Sequence, residues 1–390
     1  MSLDKLSRLY QSLKQESSFF TRWLVIAEPE AGAFNRQFTQ KISYDGKVDD
    51  RFETGLEHEL VNFIISHITT TDQYTRFEDQ VLRLQKFHDL THPKSTVDVL
   101  YPRDVIDALR QHGKKLFGVD RLEQHIEQRF GFQIETEHLF SFGCEYVMLR
   151  GAMHFLKKSM EGLEVMLDFL PRELRQNAVL RTIYLTSPGS IVMKETLTDK
   201  NPGTRSMGGV ALPGCLIYDG GTQVFFHEFF HCLDMADGLL GNDVSYILGS
   251  YSPEDAIKLS LKFILNKLDS LMSSDDQSQS KKGAKKGGKK ERPPGFSSRY
   301  GYDNFMKWGL FTEDQADLAG NAIAGSLMVK LKNDQVLEKK ILWLRDFLFK
   351  KSDGLMDAQF WREYLSDQNM SHFGANYWEK KRQARAPQNK

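Results

Sequence analysis

Cysteine is scarce and unpatterned in this chain. Cys144, Cys215 and Cys232 are the only three in 390 residues, and no two of them form a C-x-x-C pair. An odd, unpaired set argues against a disulfide framework or a structural zinc knuckle and fits a reducing compartment. Charge of one sign is equally lacking: 52 Lys and Arg balance 52 Asp and Glu, so the formal net charge is zero. A nucleic-acid platform or a general basic membrane binder needs a sustained positive field, so no specific nucleic-acid partner is expected. No run of 18 apolar residues occurs, and the opening stretch Met1 to Leu9 is amphipathic and charged rather than an apolar signal core. The expectation is a soluble protein with no transmembrane segment and no Sec-type signal, either cytoplasmic or delivered into a host cell by another route.

What is abundant is phenylalanine, at 27 residues within a 40% hydrophobic composition. That content supports well-packed cores, and the length allows two domains or one large core with appendages. Leu56 to His67, Phe77 to His88, Pro102 to His112 and Arg121 to Arg129 show three- and four-residue apolar spacing, so residues 1–155 read as a mainly helical region. Nothing there carries chemistry of its own. His88 and His92 stand at helical spacing, but Pro93 disfavours helix at that point. His58-Glu59 lacks a second histidine and reads as helix surface.

The most informative stretch is His227-Glu228-Phe229-Phe230-His231. A helix turns about 100° per residue, which stacks residues i and i+4 on one face. Both imidazoles then point the same way and can bind one Zn²⁺, while Glu228 can reach a water in the ion's open position and act as general base. Such an arrangement suits hydrolysis of an amide. Gly220-Gly221 breaks the chain before it, Thr222 is the expected N-cap, and Gly238 is the expected stop. Phe225, Phe226, Phe229, Phe230 and Leu233 make the helix apolar on nearly every side, which implies burial. A core helix whose histidines merely bond to backbone is the competing reading, but polar residues sharing one face of so apolar a helix would be costly without a shared task. Asp234 returns to the ligand face, where its carboxylate can accept the second N–H of an imidazole. Cys232 points about 100° away from that face and reads as a core thiol.

Short β-rich runs surround this helix. Arg181 to Thr186, Ser190 to Glu195 and Met207 to Asp219 follow a helical stretch around Leu163 to Leu170 that ends at Pro171. The order of elements fits an α+β fold: a small mixed sheet backed by helices, with a metal-binding helix after its last strand. An edge strand beside that helix can pair with an extended peptide.

His227-Glu-Phe-Phe-His-Cys-Leu-Asp234 resembles the HEFxHxxD helix of the anthrax toxin lethal factor-like metallopeptidases, a pattern shared with the Mlc titration factor A peptidases. Phe296-Ser-Ser-Arg-Tyr-Gly301 resembles that family's tyrosine-bearing segment, and Glu313-Asp-Gln-Ala-Asp317 resembles its E-x-x-A-E helix. The likeness covers residues 160–330 or so. It implies a zincin-like fold and a zinc endopeptidase of the gluzincin type, in which Glu313 is the third zinc ligand and Tyr300 steadies the oxyanion. Thirteen positions separate Tyr300 from Glu313, wider than in the family, so Tyr302 is a second tyrosine candidate. With Thr312 as N-cap, Asp317 lies one turn beyond Glu313 on the same face, so either carboxylate can reach zinc. The resemblance implies a specific protein or peptide substrate and fits an injected effector or toxin component better than a digestive enzyme. A non-catalytic zinc-containing interaction protein and a zinc hydrolase of a non-peptide amide are the alternatives; zinc binding alone would not require Glu228.

The remaining segments organise the chain. Ser252-Pro253 starts a helix carrying Ile257, Leu261, Ile264, Leu265, Leu268 and Leu271 on one stripe. Residues 273–298 read as a disordered basic loop, since Ser273 to Arg292 contains no large apolar residue. Its lysines, between 281 and 292, suit either a solvated linker or an anion-attracting tract. Val336 to Phe349 and Phe360 to Leu365 read as helices that pack on a domain spanning 156–375, and 376–390 as a fraying basic tail.

Overall fold

The computed structural model describes residues 68–75, 78, 103–136, 139–142, 145–148, 152–185, 192–194, 204–206, 208–273, 294–325 and 334–385. The expected helices at 56–67 and 77–88, the His58 and His88/His92 readings, Cys144, the 281–292 lysines and residues 386–390 lie outside this set, apart from Glu78. In chain order the elements are α1 (Arg103–Phe117), α2 (Val119–Phe130), β1 (Gln133–Glu135), β2 (Leu139–Phe142), β3 (Glu145–Met148), α3 (Met153–Phe169) and α4 (Arg172–Gln176). Then follow β4 (Leu180–Leu185), β5 (Val192–Lys194), β6 (Thr204–Ser206), β7 (Gly209–Leu212), β8 (Gly214–Tyr218), α5 (Thr222–Asp237), α6 (Leu239–Ser250) and α7 (Pro253–Ser273). The chain ends with α8 (Arg299–Trp308), α9 (Thr312–Ile323), α10 (Gln335–Lys351), α11 (Ala358–Asp367) and α12 (Ala375–Arg385). The class is α+β, mostly helical with small sheets.

Two compact units divide the chain, one of residues 1–123 with 152–157 and the other of 124–151 with 158–390. Residues 124–151, with β1 to β3, thus group with the later chain, and 152–157 with the earlier one. These short strands interrupt the otherwise helical described part of 1–155. In the first unit, Tyr74 packs edge-on against Phe117 and Glu78 accepts a hydrogen bond from the Met153 N–H at 2.7 Å.

In the second unit, β1, β4 and β8 run parallel, and β7 closes this sheet as an antiparallel edge strand in the order β1-β4-β8-β7. The β7–β8 hairpin turns at Pro213-Gly214, where Gly214 has φ +85°, a conformation that glycine reaches without strain. A second sheet, β2-β3-β5-β6, is antiparallel throughout. The first sheet is backed by α5, whose Phe225 meets Tyr218 of β8 with ring centroids 5.4 Å apart. On its other sides Phe226 packs on Phe169 of α3, and Phe230 on Phe347 of α10. Each buried phenylalanine contributes about 2–3 kcal/mol relative to exposure, so α5 is held by its apolar surround rather than by caps. Its N-cap is Gly221, with no side-chain cap, and Thr222 is already inside the helix. The stop at Gly238 is as expected from the sequence, with φ +81°.

Two expectations meet a different outcome at the periphery, and the helix expected after Ser252 forms as α7. Within the 273–298 loop reading, residues 274–293 lie outside the described set, but Phe296 and Ser297 are buried. Their neighbours Phe305 and Phe311 give Phe296 an apolar seat that the local sequence does not reveal. The tail expected to fray from 376 is instead α12 as far as Arg385: Trp378 is buried, its indole donates to the Asp168 carbonyl, and Arg382 pairs with Glu173. The stripe on α7 is exposed, with Ile257, Leu261, Ile264, Leu265 and Leu268 between 48% and 60% accessible. Among the described residues no helix is long and apolar enough to cross a membrane.

Candidate metal centre

The site is built where α9 lies against α5. Gly320 makes this approach possible: a Cβ there would stand 2.7 Å from the Gln223 carbonyl and 3.4 Å from His227 Cβ. Gln223 also donates to Asn321 Oδ1 across the same contact at 3.2 Å. Glu313, Asp317, Gly320 and Asn321 follow helical spacing, so one face of α9 meets the histidine face of α5.

The two histidines come together as the i,i+4 geometry requires, with His227 Nε2 and His231 Nε2 3.2 Å apart. Glu313 joins them from α9, its Oε2 lying 3.2 Å from His227 Nε2 and 3.6 Å from His231 Nε2. Among the described residues, His227, His231 and Glu313 form a possible metal-ligand trio, one donor atom from each lying within 4.8 Å of the others. Glu313 Oε2 is buried against the two imidazole nitrogens, a seat in which a shared cation can take up its lone pair. Two imidazoles and a carboxylate make a donor set that can hold a metal ion.

Electrostatics point the same way. Burial by itself would pull the His227 pKa down, but hydrogen bonding to Asp317 and Glu313 outweighs it and holds the value up to about 10. Burial likewise opposes the charge on Glu313, yet the two imidazoles prevail and keep its carboxyl well below the usual range. The Glu313 and Asp317 carboxylates thus flank the imidazole nitrogens of His227, an arrangement that favours a positive charge there.

Asp317 has a different place from the one its sequence position left open. Its Oδ1 lies 2.9 Å from His227 Nδ1, on the far side of the ring from Glu313, and its Oδ2 accepts from Ser298 Oγ. With Nδ1–H given to Asp317, His227 presents Nε2 to His231 and Glu313. Asp317 thus makes at His227 an imidazole–carboxylate contact of the kind expected of Asp234, which is itself wholly buried on α5.

Glu228 is 7% exposed and faces β7. Its carboxylate accepts a hydrogen bond from the Ala211 backbone, and a Cβ at Gly209 would stand 2.7 Å from its Cγ. The edge strand can lie this close only because Gly209 has no side chain. Burial raises the Glu228 pKa, partly countered by His227 and His231. Of the two tyrosine candidates, Tyr300 is the one beside the histidines, its ring centroid 6.5 Å from that of His227. Burial and then the Glu313 charge push its phenol up to about 12, so it remains a hydrogen-bond donor. Tyr302 packs against Phe296 and lies beneath the cations of Lys262 and Arg299. Cys232 is buried, and burial, then the Glu228 charge, push its thiol up to about 12, as befits a core thiol.

Ser298, Gly320 and Asn321 are participants that sequence reasoning did not single out. The small residues Ala316, Ala319 and Gly320 at helical spacing on α9 were the available signal for close approach. No protein-family model, curated protein or solved structure matches the chain.

Proposed function

We propose that this protein is a zinc-dependent endopeptidase of zincin-like architecture. The observation that carries the reading is the convergence of Glu313 Oε2, from a separate helix, on the paired His227 and His231 nitrogens, with buried Glu228 alongside. His227, His231 and Glu313 would hold Zn²⁺, which when bound supplies a Lewis acid that polarises a carbonyl and makes water more acidic. Glu228 takes the proton of the attacking water and passes it to the leaving amine; its raised pKa suits a group that must both accept and return a proton. Tyr300, protonated across the working range, donates to the oxygen on which negative charge develops. Asp317 keeps His227 in the tautomer that leaves Nε2 for the metal.

Substrate geometry follows from β7. It is an edge strand whose Ala211 N–H already reaches Glu228, so an extended peptide added along this edge would bring a backbone carbonyl to the base. The resemblance of the His227 to Asp234 helix to the lethal factor-like peptidases supports the same chemistry. A peptide-library digest by the full chain, with and without a chelator, tests the reading. The expected result is cleavage at restricted positions that the chelator abolishes and zinc restores. Zinc uptake without cleavage of any peptide or protein would favour an interaction protein, and turnover confined to small non-peptide amides would favour the other hydrolase.

A further inference from the structure

The first turn of α9, which carries Glu313, has no side-chain cap: its N-cap is Phe311, and Thr312 lies inside the helix. The turn is held instead through the residue beside the ligand. Asp314 is fully buried, and its carboxylate collects four donors from three other segments. Ser297 donates to Oδ1 from its backbone N–H at 2.7 Å and its hydroxyl at 2.6 Å, while Tyr246 on α6 and Lys340 on α10 donate to Oδ2 at 2.8 and 2.5 Å. The Ser297 hydroxyl also reaches the Asp314 carbonyl, and a Cβ at Gly301 would stand 2.9 Å from Asp314 Cα. Lys340 is as deeply buried as its partner, its ammonium within 4.7 to 5.3 Å of the ring centres of Phe296, Tyr246, Tyr251 and Phe311.

Removing an ammonium and a carboxylate from water costs about as much as their pairing returns, so buried pairs of this kind are weak sources of stability. They do fix geometry, because every alternative arrangement leaves a charge buried and unpaired. The neighbouring Ser298 meanwhile holds Asp317, so two buried carboxylates of α9, Asp314 and Asp317, are set from the same short segment. We propose that Lys340 and Asp314 form a positioning clamp that sets the first turn of α9 and thereby aims Glu313 at the histidine pair. This role rests on the zinc-site reading above. Neither residue touches the metal position or the substrate edge; both act through the backbone of α9.

The test is zinc affinity, measured by competition with a chromophoric chelator on folded protein, alongside the melting temperature. The double variant Lys340→Met with Asp314→Asn removes both charges while keeping an acceptor for Ser297. It should unfold within about 5 °C of the parent, yet bind zinc about 10-fold or more weakly, the scale on which partners behind a ligand act. Zinc affinity within twofold of the parent would overturn the clamp and leave the metal site standing. A parent protein that takes up no zinc would overturn both. Should the double variant not fold, Ser297→Ala carries the test: losing its two hydroxyl bonds to Asp314 should weaken zinc about fivefold, and an unchanged affinity would count against the proposal.

Discussion

Replacing Glu228 by glutamine should lower peptide turnover by at least about 10²-fold while zinc content stays at the parent level. Gln keeps the shape of the side chain and can still accept the Ala211 N–H, so the contact with β7 survives. Only the capacity to take a proton is lost. The fold should not suffer, because burial already disfavours the charged form of Glu228, and a neutral amide removes that burden. Circular dichroism, metal analysis and turnover of a cleaved peptide on one preparation make the comparison. Near-parental turnover in Glu228→Gln would remove Glu228 as the base and with it the mechanistic support for a peptidase.

Glu313→Ala should cost more zinc affinity than Asp317→Ala. Glu313 points Oε2 at both Nε2 atoms, so at the proposed zinc site its loss would leave two ligands, and affinity should fall by more than about 10²-fold. Asp317 reaches the metal position only through His227 Nδ1, so its removal should cost about 10–100-fold. Zinc titrations of the two variants settle the order. The reverse ranking would make Asp317 the ligand and would contradict the geometry described above.

The histidine helix was legible because its signals are local. The i,i+4 spacing sets the shared face, the phenylalanines on every other face require burial, and glycines bound the segment. The β4, β7 and β8 runs were legible for the same reason, as short apolar stretches bounded by Pro and Gly. β1 to β3 were not: they are three or four residues long, and each is stabilised by a partner strand, Thr182 to Tyr184 in the case of β1. The choice between Glu313 and Asp317 was equally out of reach, since both lie on one face of α9. Only the rotation of that helix against α5, permitted at Gly320, puts one carboxylate at Nε2 and the other at Nδ1 of His227. Lys340 illustrates the limit most plainly. Nothing in the local run Glu338-Lys339-Lys340 marks it for burial, yet rings from three other parts of the chain enclose it. The C-terminal tail misled for a similar reason, since Arg382 finds Glu173 and Trp378 finds Asp168, far away in sequence.

Metal analysis of the purified full chain bears most directly on the central claim. One equivalent of zinc per chain, removed by a strong chelator, recovered on adding zinc and lost in His231→Ala, is the result that follows from the His227, His231 and Glu313 trio. A stoichiometry well below one that zinc does not restore, or undiminished zinc in His231→Ala, would contradict it.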